Sequence, residues 1–215
     1  MAIASRLILR GTLLGIGAAA PIGPVNVEIA RRTFRGGFIA GFALGCGAVT
    51  VDVTYAILSS LSLQTVLARP AILRTIEIAG IAFLLYSGVL SVRGAVRAWR
   101  ADPLAAPDRL ASRHGVAYLT GIAMTFLNPM TVGFWFLAIP AALGAITKQP
   151  GIDLPMICIG VFIGTIAWVI GFAGALAWAG RWRKNGWLVA ADALGGAVLF
   201  CFAIAQLWRV LRRPL

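Results

Sequence analysis

Hydrophobic residues along this chain are gathered into long runs separated by short basic segments. Six apolar stretches stand out, at 7–30, 38–61, 70–92, 116–146, 152–180 and 186–208. At 1.5 Å per residue the first is about 36 Å long, enough to cross a hydrocarbon core of roughly 30 Å. The fourth is too long for one straight span and is expected to bend. The predicted fold is therefore an all-α integral membrane protein with six transmembrane helices. One polar connector of substance, "RGAVRAWRADPLAAPDRLASRHG" (Arg93–Gly115), parts the single membrane domain into residues 1–92 and 116–215.

The two parts resemble each other in order. "GFALGCGAVTVDV" from Gly41 aligns with "GVFIGTIAWVIGF" from Gly160, sharing Gly41/Gly160, Gly45/Gly164 and Ala48/Ala167. "IEIAGIAFLLYSG" from Ile76 aligns with "ADALGGAVLFCFA" from Ala191, sharing an acid (Glu77/Asp192), Gly80/Gly195, Ala82/Ala197 and Leu84/Leu199. Pro24 in the first stretch answers to Pro129 in the fourth. A duplicated unit of three helices must enter the membrane from opposite sides in its two copies, which predicts an inverted repeat. Binding sites in such proteins lie where corresponding segments of both halves are broken by Gly or Pro.

Breaks of that kind are present. The first stretch holds Pro21, Gly23 and Pro24 within "PIGPVN", and the fourth holds Asn128 and Pro129 within "TFLNPM". Proline removes a backbone donor and clashes with the preceding turn, so carbonyls lose their partners. Non-helical backbone at membrane depth survives only when buried in protein or lining a wet cavity. The half-helix ends present N–H groups on one side and C=O groups on the other, an arrangement suited to a zwitterion. Asn26 and Asn128 flank the breaks, either re-satisfying freed backbone groups or contacting a solute as well.

Composition agrees with the pattern. Of 215 residues 60% are hydrophobic and 12% charged, with a mean hydropathy of +0.90, against about 25% charged in soluble chains. The net charge of +12 does not indicate a nucleic-acid partner. Its arginines and lysines cluster at Arg31–Arg35, Arg93–Arg113 and Arg181–Lys184, as in loops that face anionic lipid. The slight excess of basic residues on that side predicts both termini on the opposite, outward face. Arg6, Arg10 and the run ending at Ala20 imitate a secretory leader, but Pro21 and the repeat favour a retained first span. Cys46, Cys158 and Cys201 lie inside apolar runs and read as small fillers.

The ionisable residues within apolar runs carry the candidate chemistry. Asp52, in "AVTVDVTYAIL", has no basic residue within a turn or two, and an acid inside a membrane costs several kcal/mol, about 2.5–3.5 on insertion scales. It is a candidate proton carrier or counter-ion to a solute amine, against a buried pairing with a Ser, Thr or Tyr. Glu28 follows the first break one turn before Arg31 and Arg32, so an ion pair competes with a solute role. Glu77 and Asp192 read as interface-level pairs. Gly37-x-x-x-Gly41-x-x-x-Gly45 and Gly160-x-x-x-Gly164 predict smooth faces for close helix contact. Trp99, Trp178, Trp182, Trp187 and Trp208 read as interfacial anchors, while Trp135 and Trp168 lie deeper and pack the core or line a pocket. The one histidine, His114, lies in a loop. No Ser-His, metal-ligand or phosphate-cradling set appears, so neither catalysis, a metal nor a cofactor is expected.

Taken together, "PIGPVN" (Pro21–Asn26), "RRTFRGGFIAGFALG" (Arg31–Gly45), "VD" at Asp52, "AGIAFLLYSG" (Ala79–Gly88) and "TFLNPM" (Thr125–Met130) resemble the lysine exporter (LysE/RhtB) family of bacterial amino-acid exporters. The resemblance covers nearly the whole chain in order. It implies six spans in the cytoplasmic membrane, export of amino acids or similar small solutes driven by the proton motive force, and often a homodimer. The first-span motif takes the form P-x-G-P-x-N, nearer the basic amino-acid branch, and Glu28 lies outside the family motif. Thiol-disulfide carriers of the wider superfamily place cysteines beside these prolines, where this chain has Ile22, Gly23, Asn128 and Met130. The expected translocation residues are Pro21, Gly23, Pro24, Asn26, Glu28, Asp52, Asn128 and Pro129. A channel or exporter for a cation or metal ion, and a non-transporting membrane scaffold, stand as rivals.

Overall fold

A computed structural model of the chain describes residues 2–60, 70–100, 113–128, 130–136, 150–180 and 186–212. These are helical almost throughout, with no strand among them. In chain order the helices are α1 (Ala2–Ala19), α2 (Pro24–Ser60), α3 (Pro70–Arg100), α4 (His114–Phe126), α5 (Pro150–Ala179) and α6 (Gly186–Arg212). A further helical stretch occupies 130–136.

Both expected breaks are present. α1 stops at Ala19 and α2 starts at Pro24, with the axes of Ala4–Ala19 and Pro24–Gly36 bent by 78°. Pro24 sits at the first helical position, where its missing N–H belongs to the orphan set of any helix start. The Gly23 carbonyl accepts the first bond, from Val27 N–H at 3.0 Å. α4 stops at Phe126, and Asn128 caps the helical stretch that follows. Its carbonyl accepts from Val132 N–H at 3.1 Å and its Oδ1 accepts from Met130 N–H at 3.0 Å, the bonding of an N-cap asparagine.

α2 turns a corner at Gly37, where φ is 78° and ψ −175°, a region open essentially to glycine alone. An arm, 24–36, thus folds against a long segment, 38–60. Gly37 is therefore the corner of α2 and not part of a packing face, whereas Gly41 packs against Thr33 and the Ile29 carbonyl of the arm. Two glycine seams hold the bundle. Gly11 and Gly15 of α1 meet Gly160 and Gly164 of α5 so closely that a Cβ on any of them would strike backbone. Gly47 of α2 and Gly121 of α4 do the same against the Tyr118 and Leu44 carbonyls. Small residues permit such approach where apolar burial gives no drive between helices. α3 and α6 pair beside these, joined to α4 through Leu84, Met124, Leu199 and Ala203.

Among the described residues, Phe38–Ser59, Asp153–Ala179 and Ala193–Arg212 are long and apolar enough to span, and the bent pair Ala4–Ala19 with Pro24–Gly36 makes a fourth. Six were expected. The third stretch holds a shorter apolar run, Ile78–Leu90, between Arg74 and Arg93, and residues 137–149 of the fourth lie outside the described residues. α3 runs on to Arg100, so the expected connector begins as helix. The bundle exposes large apolar side chains and buries several polar ones within an otherwise apolar core. Leu13, Leu119, Leu194 and Ile204 are more than 60% exposed, while Asn26, Glu28, Asp52, Thr125 and Thr165 are at most 6% exposed. Such an apolar exterior suits lipid as solvent. Trp178 is exposed and the Trp208 ring lies under the Arg212 guanidinium at 3.7 Å, as anchors at a span end do.

Candidate translocation site

The two breaks open onto one cavity of about 70 Å³. Pro21, Gly23, Pro24 and Asn26 of the first break, Asn128 of the second, and Asp52 of α2 all line it. Glu28 does not. Pro129 lies outside the described residues, as do the side chains of Glu77 and Asp192.

The backbone groups freed by the breaks are traceable. Asn26 Nδ2 donates to the carbonyls of Ala19 at 2.7 Å and Pro21 at 2.9 Å, stitching the end of α1 to the start of α2. Its Oδ1 accepts a longer bond from Trp168 Nε1 at 3.4 Å. On the other side the Phe126 carbonyl accepts from Tyr55 Oη at 2.8 Å, and the Trp135 carbonyl from Ser59 Oγ at 2.8 Å. Asp52, Tyr55 and Ser59 are spaced three and four apart, so they form one polar stripe of α2 facing the broken fourth span. In hydrocarbon these bonds replace those that water would supply.

Asp52 is 6% exposed and lies on the long segment of α2, seven residues from Ser59, or about 10 Å along the axis. Its Oδ1 accepts from Trp135 Nε1 at 2.8 Å, and among the described residues no ion pair reaches it. Its partner is thus an indole, not the Ser, Thr or Tyr weighed from the sequence. Asp52 is also the one charged residue among the described residues that line the cavity.

Glu28 has a different setting. Arg31 Nε and Nη2 donate to its two oxygens at 2.6 Å each, and Arg32 Nε donates to Oε1 at 2.9 Å. Arg32 reaches on to Thr120 Oγ1 at 3.1 Å, tying the arm of α2 to α4. This is a satisfied buried network. Among the described residues no group of three or more His, Cys, Asp or Glu side chains is placed to hold a metal ion.

The LysE type translocator family matches residues 16–209, nearly the whole chain. The chain belongs to that family. A Bacillus subtilis (strain 168) protein whose name assigns it provisionally to amino acid efflux, YcgF, is 23% identical over 168 residues, 75% of this chain and 76% of its own. The Pseudomonas aeruginosa chemotactic transduction protein ChpE is 27% identical over 177 residues, 81% of this chain and 84% of its own. No solved structure matches the chain. The protein is a multi-pass membrane translocator of the LysE type.

Three polar residues of this LysE-type cavity were not singled out by sequence reasoning. Thr165 lines it with its hydroxyl bonded to the Val161 and Phe162 carbonyls. Thr131 lines it beyond the second break. Thr125, one turn ahead of Asn128, lines it with a buried hydroxyl that has no hydrogen-bond partner. Its signal was present in "TFLNPM" (a hydroxyl beside a helix break), but the asparagine and proline drew the attention.

Proposed function

We propose that this protein is a secondary exporter of amino acids or similar small zwitterions, working by alternating access in the bacterial cytoplasmic membrane and driven by the proton motive force. The observation that carries the reading is Asp52 on the wall of a cavity onto which two broken helices open. An intramembrane acid without an ion pair is costly and marks a transport pathway. Ionised, Asp52 attracts a solute ammonium; protonated, it releases it, so exchange of one proton for the amine couples solute to gradient. The start of α2 offers the opposite end of a zwitterion site. Val25 and Asn26 line the cavity and precede the first intrahelical bond, so their N–H groups and the helix dipole favour a carboxylate.

Six spans in two inverted halves, and a homodimer, complete the proposed architecture. The packing supports it: exchanging the first span with the fourth and the second with the fifth turns the α1–α5 seam into the α4–α2 seam. The amino-acid efflux named for the B. subtilis relative supports the solute class. The test is efflux from proteoliposomes loaded with labelled amino acids under an imposed pH gradient. At least one solute should leave faster with the gradient than without it, and Asp52→Asn should abolish that response. Failure of every amino acid to move, or an unaltered response in Asp52→Asn, defeats the proposal.

A further inference from the structure

The cavity holds two features that the export reading leaves unused: the apolar lining around Asp52 and the Thr125 hydroxyl. Resting on that reading, we infer that the transported solute is a zwitterion with an uncharged side chain, and that Thr125 contacts it directly.

Charge comes first. A solute ammonium is balanced by Asp52, the one charged residue among the described residues that line the cavity. A second cation on the side chain, as in lysine or arginine, would be buried against Ile29, Ala48, Val49 and Val169 without a counter-charge, which desolvation forbids. The cavity of about 70 Å³ has room for a handful of waters at about 10–15 Å³ each, which accommodates the head of an amino acid. The P-x-G-P-x-N form of the first break therefore does not carry basic-solute selectivity with it.

Thr125 supplies the independent sign of a ligand. It is 2% exposed, its hydroxyl has no protein partner, and it stands on the cavity wall. Native proteins seldom leave such a group unbonded unless a ligand or water completes it. A threonine ordinarily quiets itself on the carbonyl one turn back, as Thr12, Thr50, Thr54 and Thr120 each do at 2.7–2.9 Å. Thr125 does not. Its hydroxyl is left to give or take one bond to the solute's polar head.

The experiment uses the full chain in proteoliposomes loaded separately with labelled alanine, serine, leucine, lysine and arginine. Alanine or serine should leave at least tenfold faster than lysine or arginine. Equal or faster efflux of a basic amino acid overturns the inferred class while leaving export standing; no efflux of any of them overturns the export reading beneath it. Thr125→Val should raise the half-saturating concentration of the best solute at least tenfold, the effect of losing a hydrogen bond to a charged group. Its melting temperature should not fall, since an isosteric methyl replaces an unbonded hydroxyl. Thr125→Ser should keep near-native transport, with Thr125→Ala as the second hydroxyl-free variant. Equal transport by the hydroxyl-free and hydroxyl-bearing variants overturns the role of Thr125.

Discussion

Glu28 and Asp52 are both buried carboxylates, and the same acid-to-amide change should have opposite consequences at the two. Glu28 accepts three bonds of 2.6, 2.6 and 2.9 Å from two arginines whose side chains are 14% and 13% exposed. Glu28→Gln keeps the shape but removes the charge, and its amide nitrogen faces a donor where an acceptor stood. Removing one partner of a buried ion pair costs about 3–5 kcal/mol. A chain of this length loses about 2–4 °C of melting midpoint per kcal/mol, so the fall should be on the order of 10 °C. Asp52→Asn is the reverse. An asparagine Oδ1 still accepts from Trp135 Nε1, and the charge that disappears has no ion-pair partner among the described residues. Stability should hold or rise by about 1 kcal/mol, while gradient-driven efflux disappears.

Thermal unfolding in detergent, followed by tryptophan fluorescence, reads the first quantity, and proteoliposome efflux under a pH gradient reads the second. Glu28→Gln should lose midpoint and, measured below it, retain coupling; Asp52→Asn should retain midpoint and lose coupling. The reasoning is refuted if the two variants fall together in stability, or if Glu28→Gln melts like the parent.

Other consequences can be read from the same packing. Asn26→Ala strips the donors from the Ala19 and Pro21 carbonyls, at about 1–3 kcal/mol for each buried acceptor left unbonded; a midpoint unchanged from the parent would show that water replaces the amide. Gly160→Ala drives a methyl into the Ile8 carbonyl of α1 and should cost about 1–3 kcal/mol, whereas Gly174→Ala meets open space and should be neutral or stabilising by up to about 1 kcal/mol. Equal midpoints for the pair would contradict the α1–α5 seam. In a chain lacking Cys46, Cys158 and Cys201, a disulfide joining Gly45→Cys to Val169→Cys should stop transport and reduction should restore it; transport that continues with the bond intact would mean that this contact does not move.

What could be read in advance depended on how local the cause was. The breaks were legible because proline acts on its own turn, so Pro21, Pro24 and "TFLNPM" announced them. Asp52 was legible because an acid in an apolar run is costly whatever surrounds it. The setting of Glu28 was only half legible: Arg31 and Arg32 lie one turn away, but the reach of Arg32 to Thr120 crosses 88 positions of sequence. The indole that holds Asp52 left no mark, since Trp135 sits 83 positions away in a run where tryptophan reads as packing. Gly37 was misplaced because spacing cannot tell a glycine that admits a neighbouring helix from one that admits a positive φ.

The seams also bear on which parts of the bundle would move. The sequence reading divides the chain at its polar connector and has two halves alternate about the cavity. The closest backbone contacts, however, run between the halves: α1 lies on α5 through Gly11, Gly15, Gly160 and Gly164, and the long segment of α2 lies on α4 through Gly47 and Gly121. Neither seam can slide without driving Cα and carbonyl groups into each other, because no flexible side chain lies between them to take up the change. The contact between these two pairs is of another kind. Gly45 meets the branched side chain of Val169, and the cavity lies along the same divide, with Thr165 and Trp168 of α5 on one wall and Ala48, Asp52 and Thr125 on the other. Side-chain contacts beside a void are where small rotations are cheapest. Under the proposed alternating access, the bodies that rock would be α1 with α5 and α2 with α4, each taking one span from either half, and the proposed inverted repeat would make those two bodies equivalent. Asp52 rides on one of them and the tryptophan facing Asn26 on the other, so opening the divide to either side of the membrane would change the surroundings of the carboxylate while leaving both glycine seams intact.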